Sequence, residues 1–219
     1  MENYYGILSQ CPLFDGIEPN DMGTIIGCLN GRMINVRKGQ PVFLEGDPAR
    51  DVGVVVAGTV QVVREDYYGN RSVMTVLRPG ELFAEVFSCA GCNTMPVSVI
   101  AVTDSEVLLL DCRRVFTSCS GSCRFCNLVM KNLLQGMAQK TLGLAQKIQY
   151  MSQKTTKDKL MAYLLDQAKK QGTSDFVIPH NRQSLADYLG VERSAMSAEI
   201  SKLKKSGELD THGSWFCLK

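Results

Sequence analysis

The stretch from Cys123 to Met151 constrains the fold of this chain more than any other feature. Within it, mostly apolar side chains recur alternately four and three residues apart, which is the a/d spacing of four heptads. No proline interrupts the run. The series consists of Cys123, Asn127, Met130, Leu134, Met137, Thr141, Leu144, Ile148 and Met151. So narrow a stripe predicts one long helix that pairs in parallel with a second copy of itself.

A second face of this helix predicts packing within one chain. Leu128, Leu133 and Leu142 lie off the heptad spacing, and a helix with two apolar faces can bury one of them on its own domain. The alternative is an amphipathic helix that packs only within its own chain. We give the name heptad seam to the expected dimer positions, which are Met130, Leu134, Met137, Thr141, Leu144, Ile148 and Met151.

Length and composition indicate an ordinary globular protein with room for two domains. The chain has 219 residues, of which 45% are hydrophobic and 21% charged. No apolar run reaches the ~18 residues of a membrane span, and the N-terminus lacks the pattern of a signal peptide. We therefore expect a cytoplasmic protein with no membrane partner. Residues 151–219 carry 11 Lys and Arg against 8 Asp and Glu, so the basic excess lies in the C-terminal third.

Short β-rich runs separated by turn residues occupy the region 32–111. Tyr68-Gly69-Asn70 is typical of a hairpin tip, because Gly and Asn tolerate positive φ. Runs at this spacing predict a jelly-roll-like β-roll. The runs are Met33–Val36, Pro41–Leu44, Val52–Ala57, Thr59–Arg64, Ser72–Leu77, Val97–Val102 and Glu106–Leu110.

The segment that follows residue 180 predicts a helix-turn-helix. Asn181 is a suitable N-cap for a first helix, small Ala186 lets a second helix approach closely, and Gly190 supplies the turn. Two short strands, Glu208–Asp210 and Trp215–Leu218, follow the second helix and predict a wing. Another helical pattern at 154–171 precedes the motif, and we expect a hinge at Ser152–Thr156 between it and the long helix.

The second helix of this motif has a buried and an exposed face. Met196, Ile200 and Leu203 recur at i, i+4 and i+7 and should be buried. The outward residues are small or polar with one arginine, which suits entry into a major groove. We expect contacts to double-stranded DNA from Arg182, Ser184, Arg193, Ser194, Ser197, Ala198, Ser201 and Lys202.

The fold class is therefore α+β, with three predicted parts. They are a β-roll sensor domain at 1–122, a dimerisation helix at 123–152 and a winged helix-turn-helix domain at 153–219. Within the roll, Pro79–Phe87 breaks the strand pattern and predicts a short helix after a turn.

A roll that carries a Gly-Glu-x-x-Ala-Glu segment at 80–85, followed by one long helix and a winged helix-turn-helix, resembles the cyclic-AMP receptor protein and fumarate–nitrate regulator (CRP/FNR) family. The resemblance covers nearly the whole chain. It implies a homodimeric transcriptional regulator that binds a palindromic operator, with RNA polymerase and an unidentified small-molecule effector as further partners. Family members often carry Glu and Arg on the exposed face of the recognition helix, where this chain has Ser194 and Ala198.

The resemblance also locates an effector pocket, and the pocket departs from the family pattern. Cyclic-AMP-binding relatives hold the nucleotide with a Gly-Glu pair and an Arg-Ser pair, which fall on Ala84-Glu85 and Met95-Pro96. A buried phosphate without an arginine partner is costly, so cyclic AMP is not the expected effector. Met137, Thr141 and Leu144 on the long helix would line the same pocket, which leaves a more apolar ligand as an alternative.

Cysteines offer a rival sensor. The chain has nine, an odd number, and lacks a secretion signal, which argues against a disulfide framework. A clustered subset has spacings that suit zinc or an iron–sulfur cluster, while buried cysteines also pack as small apolar residues. The candidate ligands are Cys89, Cys92, Cys119, Cys123 and Cys126.

No arrangement of residues points to an enzyme. Neither a Ser/His/Asp set, a phosphate-binding loop nor a pair of carboxylates stands out. A thiol redox catalyst that uses Cys89 and Cys92 is the enzymatic alternative, and it requires a lowered thiol pKa. A constitutive DNA-binding dimer with a non-functional pocket is the remaining alternative.

Overall fold

The computed structural model describes residues 4–114 and 124–219. It divides into two compact units, Met1–Ala138 and Gln139–Lys219. The long helix contributes to both units, and the domain boundaries at 122/123 and 152/153 stay predictions. The mixture of a β-sheet sensor, one long helix and a C-terminal helix-turn-helix confirms the α+β fold class.

Short helices form the N-terminal segment of the first unit. They are α1 (Tyr5–Leu8), a 3-10 helix at Pro12–Phe14 and α2 (Pro19–Cys28). Pro19 occupies the first turn of α2, where its missing N–H costs nothing. Leu8, Leu13 and Ile25 from these elements lie in the same core as the inner strands of the roll.

The roll consists of two antiparallel four-stranded sheets, ordered β1-β8-β3-β6 and β2-β7-β4-β5. The seven runs expected from the sequence are all strands, with ends that differ by at most one residue. The strands are β1 (Arg32–Val36), β2 (Pro41–Phe43), β3 (Val52–Ala57), β4 (Val60–Glu65), β5 (Arg71–Leu77), β6 (Leu82–Phe83), β7 (Ser98–Ala101) and β8 (Ser105–Leu110).

The segment expected as one short helix is a strand followed by a helix. Leu82 and Phe83 pair with Val54 and Gly53 of β3, and α3 (Glu85–Cys89) begins only after them. Gly53 is required at this crossing, since an added Cβ would lie 2.1 Å from the Phe83 ring. Ala84 joins the two elements in the left-handed region, with φ of 65°.

The long helix α4 runs without interruption over Arg124–Met151. In the first unit, Cys126, Val129 and Leu133 are buried with the N-terminal helices. Asn132 is also buried, and its Nδ2 donates to the carbonyl oxygens of Leu13 at 3.1 Å and Asp15 at 2.8 Å. This polar pin fixes the helix against the N-terminal segment.

Leu142 corrects the prediction of a continuous intrachain face. Leu133 is buried and Leu128 packs against the same core, as expected. Leu142 is 58% exposed among the residues that the structure describes. The intrachain face therefore ends in the first half of α4.

The second unit continues α4 into a helix-rich domain. Its helices are α5 (Thr156–Gln171), α6 (Arg182–Leu189) and α7 (Arg193–Ser206), and its strands are β9 (Asp175–Val177), β10 (Leu209–His212) and β11 (Trp215–Leu218). The strands form one antiparallel sheet in the order β10-β11-β9. Across both described ranges, every helix is too short or too polar to cross a membrane.

Candidate nucleic-acid interface and sensor site

Local capping fixes the two helices of the expected DNA-binding motif. The Asn181 side chain accepts from the N–H of Ser184 and caps α6, as predicted. Gly190 ends α6 with φ of 61°, a conformation that disfavours a residue with a Cβ. α7 begins three residues after Gly190, at Arg193, so the pair forms a helix-turn-helix.

The faces of α7 are those expected from the sequence. Met196, Ile200 and Leu203 are buried in the core of the second unit. The opposite face places Arg193, Ser194, Ala198, Ser201 and Lys202 in solvent, with Ser197 partly exposed. Short side chains on this face let the helix backbone come close to a partner, which suits insertion into a groove.

Two of the exposed polar residues have partners within α7 itself. Ser201 Oγ donates to Ser197 O at 2.9 Å. Lys202 Nζ lies 2.6 Å from Glu199 Oε1, in an exposed ion pair whose contribution to stability is small. Neither interaction buries the side chain, so both residues stay accessible for a ligand.

Arg182 and Ser184 differ from the other candidate DNA contacts. Ser184 Oγ donates back to Asn181 O at 3.2 Å, within the cap. Arg182 points into its own domain, where Nη2 donates to Thr211 Oγ1 at 2.8 Å and the guanidinium lies 4.8 Å from the centre of the Phe216 ring. Sequence alone could not have shown these directions, because Thr211 is 29 residues away.

The wing has one more strand than the sequence analysis expected. β9 pairs with β11, with Phe176 opposite Phe216, and the two rings stack. The indole N–H of Trp215 donates to Asp175 Oδ1 across the same pair of strands. The short aromatic and β-branched run Phe176-Val177-Ile178, bounded by Asp175 and Pro179, is the signal that could have revealed β9.

An aromatic cluster that the sequence analysis missed connects the end of α4 to the motif. Tyr150 of α4, Tyr163 of α5 and Tyr188 of α6 have ring centres 5.6 to 6.4 Å apart. His180 stacks on Tyr188 at 4.9 Å. Burial lowers the pKa of His180, so the neutral imidazole is favoured in this cluster.

A carboxylate anchors the same cluster. Tyr150 OH donates to Asp166 Oδ2 at 2.5 Å, and Lys170 Nζ lies 2.8 Å from that oxygen. Burial works to raise the pKa of Asp166, but hydrogen bonds from Lys170 and Tyr150 outweigh it and hold that pKa below its ordinary value. Burial and the Asp166 hydrogen bond both raise the pKa of Tyr150.

The sensor residues expected to hold an effector lie in mixed environments. Glu85 is buried at the start of α3, and Ala84 is buried beside it. Met95 is buried in the apolar core of the roll with Phe43 and Phe83, while Pro96 is exposed. An apolar side chain therefore fills the position that the family resemblance assigns to an arginine.

The helix residues assigned to the pocket belong to different units. Met137 packs partly against the core of the first unit. Thr141 and Leu144 lie in the second unit, and both are exposed. Each compact unit thus holds part of the expected pocket lining.

The cysteines of the described residues are mostly reduced. Cys89, Cys92 and Cys112 are thiols, and burial raises the pKa of Cys112 to about 12. Burial, with the nearby charge of Glu85, also raises the pKa of Cys89. These shifts oppose thiolate formation, which nucleophilic and metal-binding thiols require.

The candidate metal-binding cysteines fall partly within and partly outside the described residues. Within 4–114 and 124–219, no group of three or more His, Cys, Asp or Glu side chains is arranged to hold a metal ion. Cys119 and Cys123 lie outside the described residues. Cys126 is disulfide-bonded, an exception to the expectation of unpaired thiols, and a disulfide sulfur is not a thiolate ligand. Zinc and iron–sulfur binding remain predictions.

Comparison with known proteins identifies both parts of the chain. Residues 33–119 match the profile of the cyclic nucleotide-binding domain, and residues 158–218 match that of the Crp-like helix-turn-helix domain. The chain is 27% identical to the cyclic AMP receptor protein of Thermus thermophilus over 90% of this chain and 87% of that protein. It is 25% identical to the transcriptional activator protein FnrL of Cereibacter sphaeroides over 80% and 71% of the two chains.

Solved structures share the fold. The catabolite activator protein of Thermus thermophilus aligns over 95% of this chain and 93% of its own, with a TM-score of 0.50 and 24% identity. DNR from Pseudomonas aeruginosa aligns over 100% and 95%, with a TM-score of 0.52 and 18% identity. At these identities the likeness concerns the fold alone.

Proposed function

Because the chain belongs to the CRP/FNR family of DNA-binding transcriptional regulators, we propose that it acts as a homodimer on a palindromic operator, under the control of an effector other than cyclic AMP. The observation that carries this proposal is the exposed, short-chained face of α7, backed by a buried apolar face and followed by a wing.

The heptad seam supports the dimer. Leu134, Leu144 and Ile148 are each more than 60% exposed in the single chain, which is unusual for large apolar residues on one regular helical stripe. A parallel pair of α4 helices would bury them against each other. If the two-fold axis of that pair relates the two motifs, the half-sites are spaced by one helical turn of DNA, ~34 Å.

The contents of the sensor core support an effector that is not a cyclic phosphate. The relative from Thermus thermophilus is named for cyclic AMP. In this chain Met95 and Pro96 replace the Arg-Ser pair that the resemblance assigns to the phosphate, and Met95 is buried among apolar residues. An anion brought to this position would lose its hydration without gaining a cationic partner.

The signal would pass from the sensor to the DNA-binding motifs through a shift in population between two conformations of the chain. α4 ends at Met151 and α5 begins at Thr156, so the chain leaves helical geometry at the predicted hinge. An effector that binds one arrangement of this hinge more tightly would shift the population toward it. The resulting change in operator affinity can be no larger than the difference between the effector's affinities for the two arrangements.

Arg193 provides the test of the DNA-binding surface. It is the first residue of α7, exposed, and the single arginine on that face. We expect Arg193→Ala to weaken binding to the selected operator by about tenfold or more, since a bidentate arginine contact to a base is worth ~1–3 kcal/mol. Lys219→Ala removes an equal charge at the chain end and serves as the control in gel-shift titrations at fixed salt. Equal affinities of the two variants would remove Arg193 from the interface.

Calorimetric titration tests the sensor. We expect no saturable heat from cyclic AMP up to ~1 mM, which corresponds to a binding free energy weaker than about −4 kcal/mol. The Thermus thermophilus relative is the positive control. Micromolar binding by this chain would refute the proposal for the effector while leaving the DNA-binding function intact.

The cysteine-based alternative rests on the partly exposed thiols Cys89 and Cys92. Metal analysis of anaerobically purified protein distinguishes it from the ligand-binding sensor. Stoichiometric zinc or iron per chain would favour the cysteine sensor, and substoichiometric metal without visible absorbance would exclude it.

A further inference from the structure

Arg182 occupies an unusual position for a residue at the start of a helix-turn-helix. It is the first residue of α6, yet its guanidinium is directed into the wing. Nη2 donates to Thr211 Oγ1 of β10 at 2.8 Å, and the planar group lies over the Phe216 ring of β11 at 4.8 Å. One cation thus contacts both strands of the wing hairpin.

The inner nitrogen of this guanidinium is shielded from solvent. Arg182 Nη1 is buried and has no hydrogen-bond partner among the residues the structure describes. Burial also lowers the pKa of Arg182. A phosphate cannot reach Nη1 in this arrangement, and Nη2 is already hydrogen-bonded to Thr211, so the geometry favours a role for this arginine within its own domain.

Thr211 connects the arginine to the recognition helix. Its hydroxyl accepts from Arg182 and donates to Trp215 O at 2.6 Å. Its carbonyl oxygen accepts from Lys204 Nζ of α7 at 3.4 Å, and the same Nζ lies 2.6 Å from Asp210 Oδ1. Thr211 is therefore held from α6 by Arg182 and from α7 by Lys204.

We propose that Arg182 is a positioning residue for DNA recognition, which sets the wing hairpin against α6 and α7 through Thr211 and does not itself contact the DNA backbone. The ring stacking and the charged hydrogen bond stabilise one orientation of the hairpin. Loss of the guanidinium leaves the recognition helix intact and frees the wing beside it. This proposal rests on the DNA-binding function proposed above.

Salt dependence separates positioning from phosphate contact. Each phosphate neutralised by a protein cation contributes about 0.9 to the slope of log K against log salt. The probe is a DNA duplex selected by the wild-type protein from a random library. For Arg182→Met we expect at least about tenfold weaker binding, because each protomer of the dimer loses one charged hydrogen bond, with the slope unchanged. Lys169→Met, which removes one exposed charge from α5, is the matched control and should bind like wild type.

A double-mutant cycle tests the route through Thr211. Thr211→Val keeps the shape of the side chain and removes its hydrogen bonds. If Arg182 acts through Thr211, Arg182→Met combined with Thr211→Val weakens binding no more than the worse single variant. Arg182→Lys should not rescue binding, because an ammonium group lacks the planar stack on Phe216.

Trp215 gives a readout that does not depend on DNA. It is the only tryptophan in the chain and follows the turn of the hairpin that Thr211 anchors. We expect Arg182→Met to change the emission and anisotropy of Trp215 in the folded protein, at a temperature well below its melting point. This measurement remains informative even if the wild-type protein selects no DNA, an outcome that would refute the proposed function itself.

Three results would overturn the positioning role. One is a slope of log K against log salt that falls by about 1.8 in Arg182→Met. Two arginines in a dimer at about 0.9 each would give that change, and it would assign Arg182 to a phosphate contact. Another is full affinity with a lowered melting point, which makes the arginine a stability residue only. The third is unaltered Trp215 emission together with additive losses in the cycle.

Discussion

The two halves of α4 have similar apolar content but different surroundings. In the first half, Leu133 is 4% exposed and Asn132 is pinned to backbone carbonyls. In the second half, Leu144 is 62% and Ile148 is 66% exposed. One uninterrupted helix thus passes from a segment that packs on its own chain to a segment whose apolar stripe is left exposed by the residues that the structure describes.

This difference shows what a heptad pattern can specify. The spacing fixes which side chains share a face, but it does not say which surface covers that face. In the first half, the face that carries Val129 and Leu133 is covered by the N-terminal helices, so its contribution belongs to the folding of one chain. The second half requires a second chain under the proposed function, so its contribution depends on protein concentration.

The largest expected effect is that of Leu133→Ala. Truncating this buried leucine should lower the free energy of unfolding by about 2–5 kcal/mol, through lost burial and the cavity left behind. Urea unfolding followed by circular dichroism measures it. Leu142→Ala is the control, since Leu142 is 58% exposed and lies off the heptad spacing. Equal losses for the two variants would mean that the first half of α4 is not held as the structure shows.

Ile148→Asp tests the second half. A carboxylate in the seam would be desolvated on pairing, so we expect the dimer dissociation constant to rise at least ~100-fold, equivalent to about 2.7 kcal/mol. Sedimentation equilibrium measures the constant. Gln149→Asp places the same charge one residue away, off the heptad spacing, and should leave it nearly unchanged. A dimer unaffected by Ile148→Asp would place the interface elsewhere.

Sequence patterns were sufficient where the determining contacts are local. Asn181 caps α6 through Ser184, and Gly190 ends it, so the helix-turn-helix followed from residues a few positions apart. Seven of the eight strands of the roll were likewise recognisable, since β-rich runs and turn residues mark them. The exposed face of α7 followed from its helical period alone.

Sequence patterns were insufficient where residues distant in the chain determine the local structure. The strand at Leu82–Phe83 exists because it pairs with Gly53 and Val54 of β3. The direction of Arg182 depends on Thr211. The exposure of Leu142 depends on which elements reach that turn of α4, and a helical period carries no such information.

Asn132 provides a smaller test within the first half. Asn132→Ala leaves the carbonyl oxygens of Leu13 and Asp15 without their side-chain donor, so we expect a loss of about 1–3 kcal/mol in unfolding free energy. Asn127→Ala, at an exposed position of the same helix, should cost less than ~0.5 kcal/mol. If both variants matched wild type in chemical denaturation, the pin would contribute nothing to the attachment of α4.

The smallest expected effect comes from Leu142→Lys, which tests where the intrachain face ends. Since Leu142 is already 58% exposed, a lysine there keeps its charge in water, and the unfolding free energy should change by less than ~0.5 kcal/mol. Leu128→Lys is the matched comparison, because Leu128 packs against the core of the first unit beside Gly16. We expect that variant to lose more than ~1 kcal/mol by placing an ammonium group against apolar surface. Equal losses at the two positions in thermal denaturation would extend the intrachain face to Leu142, and the contrast between the halves of α4 would then begin further along the helix.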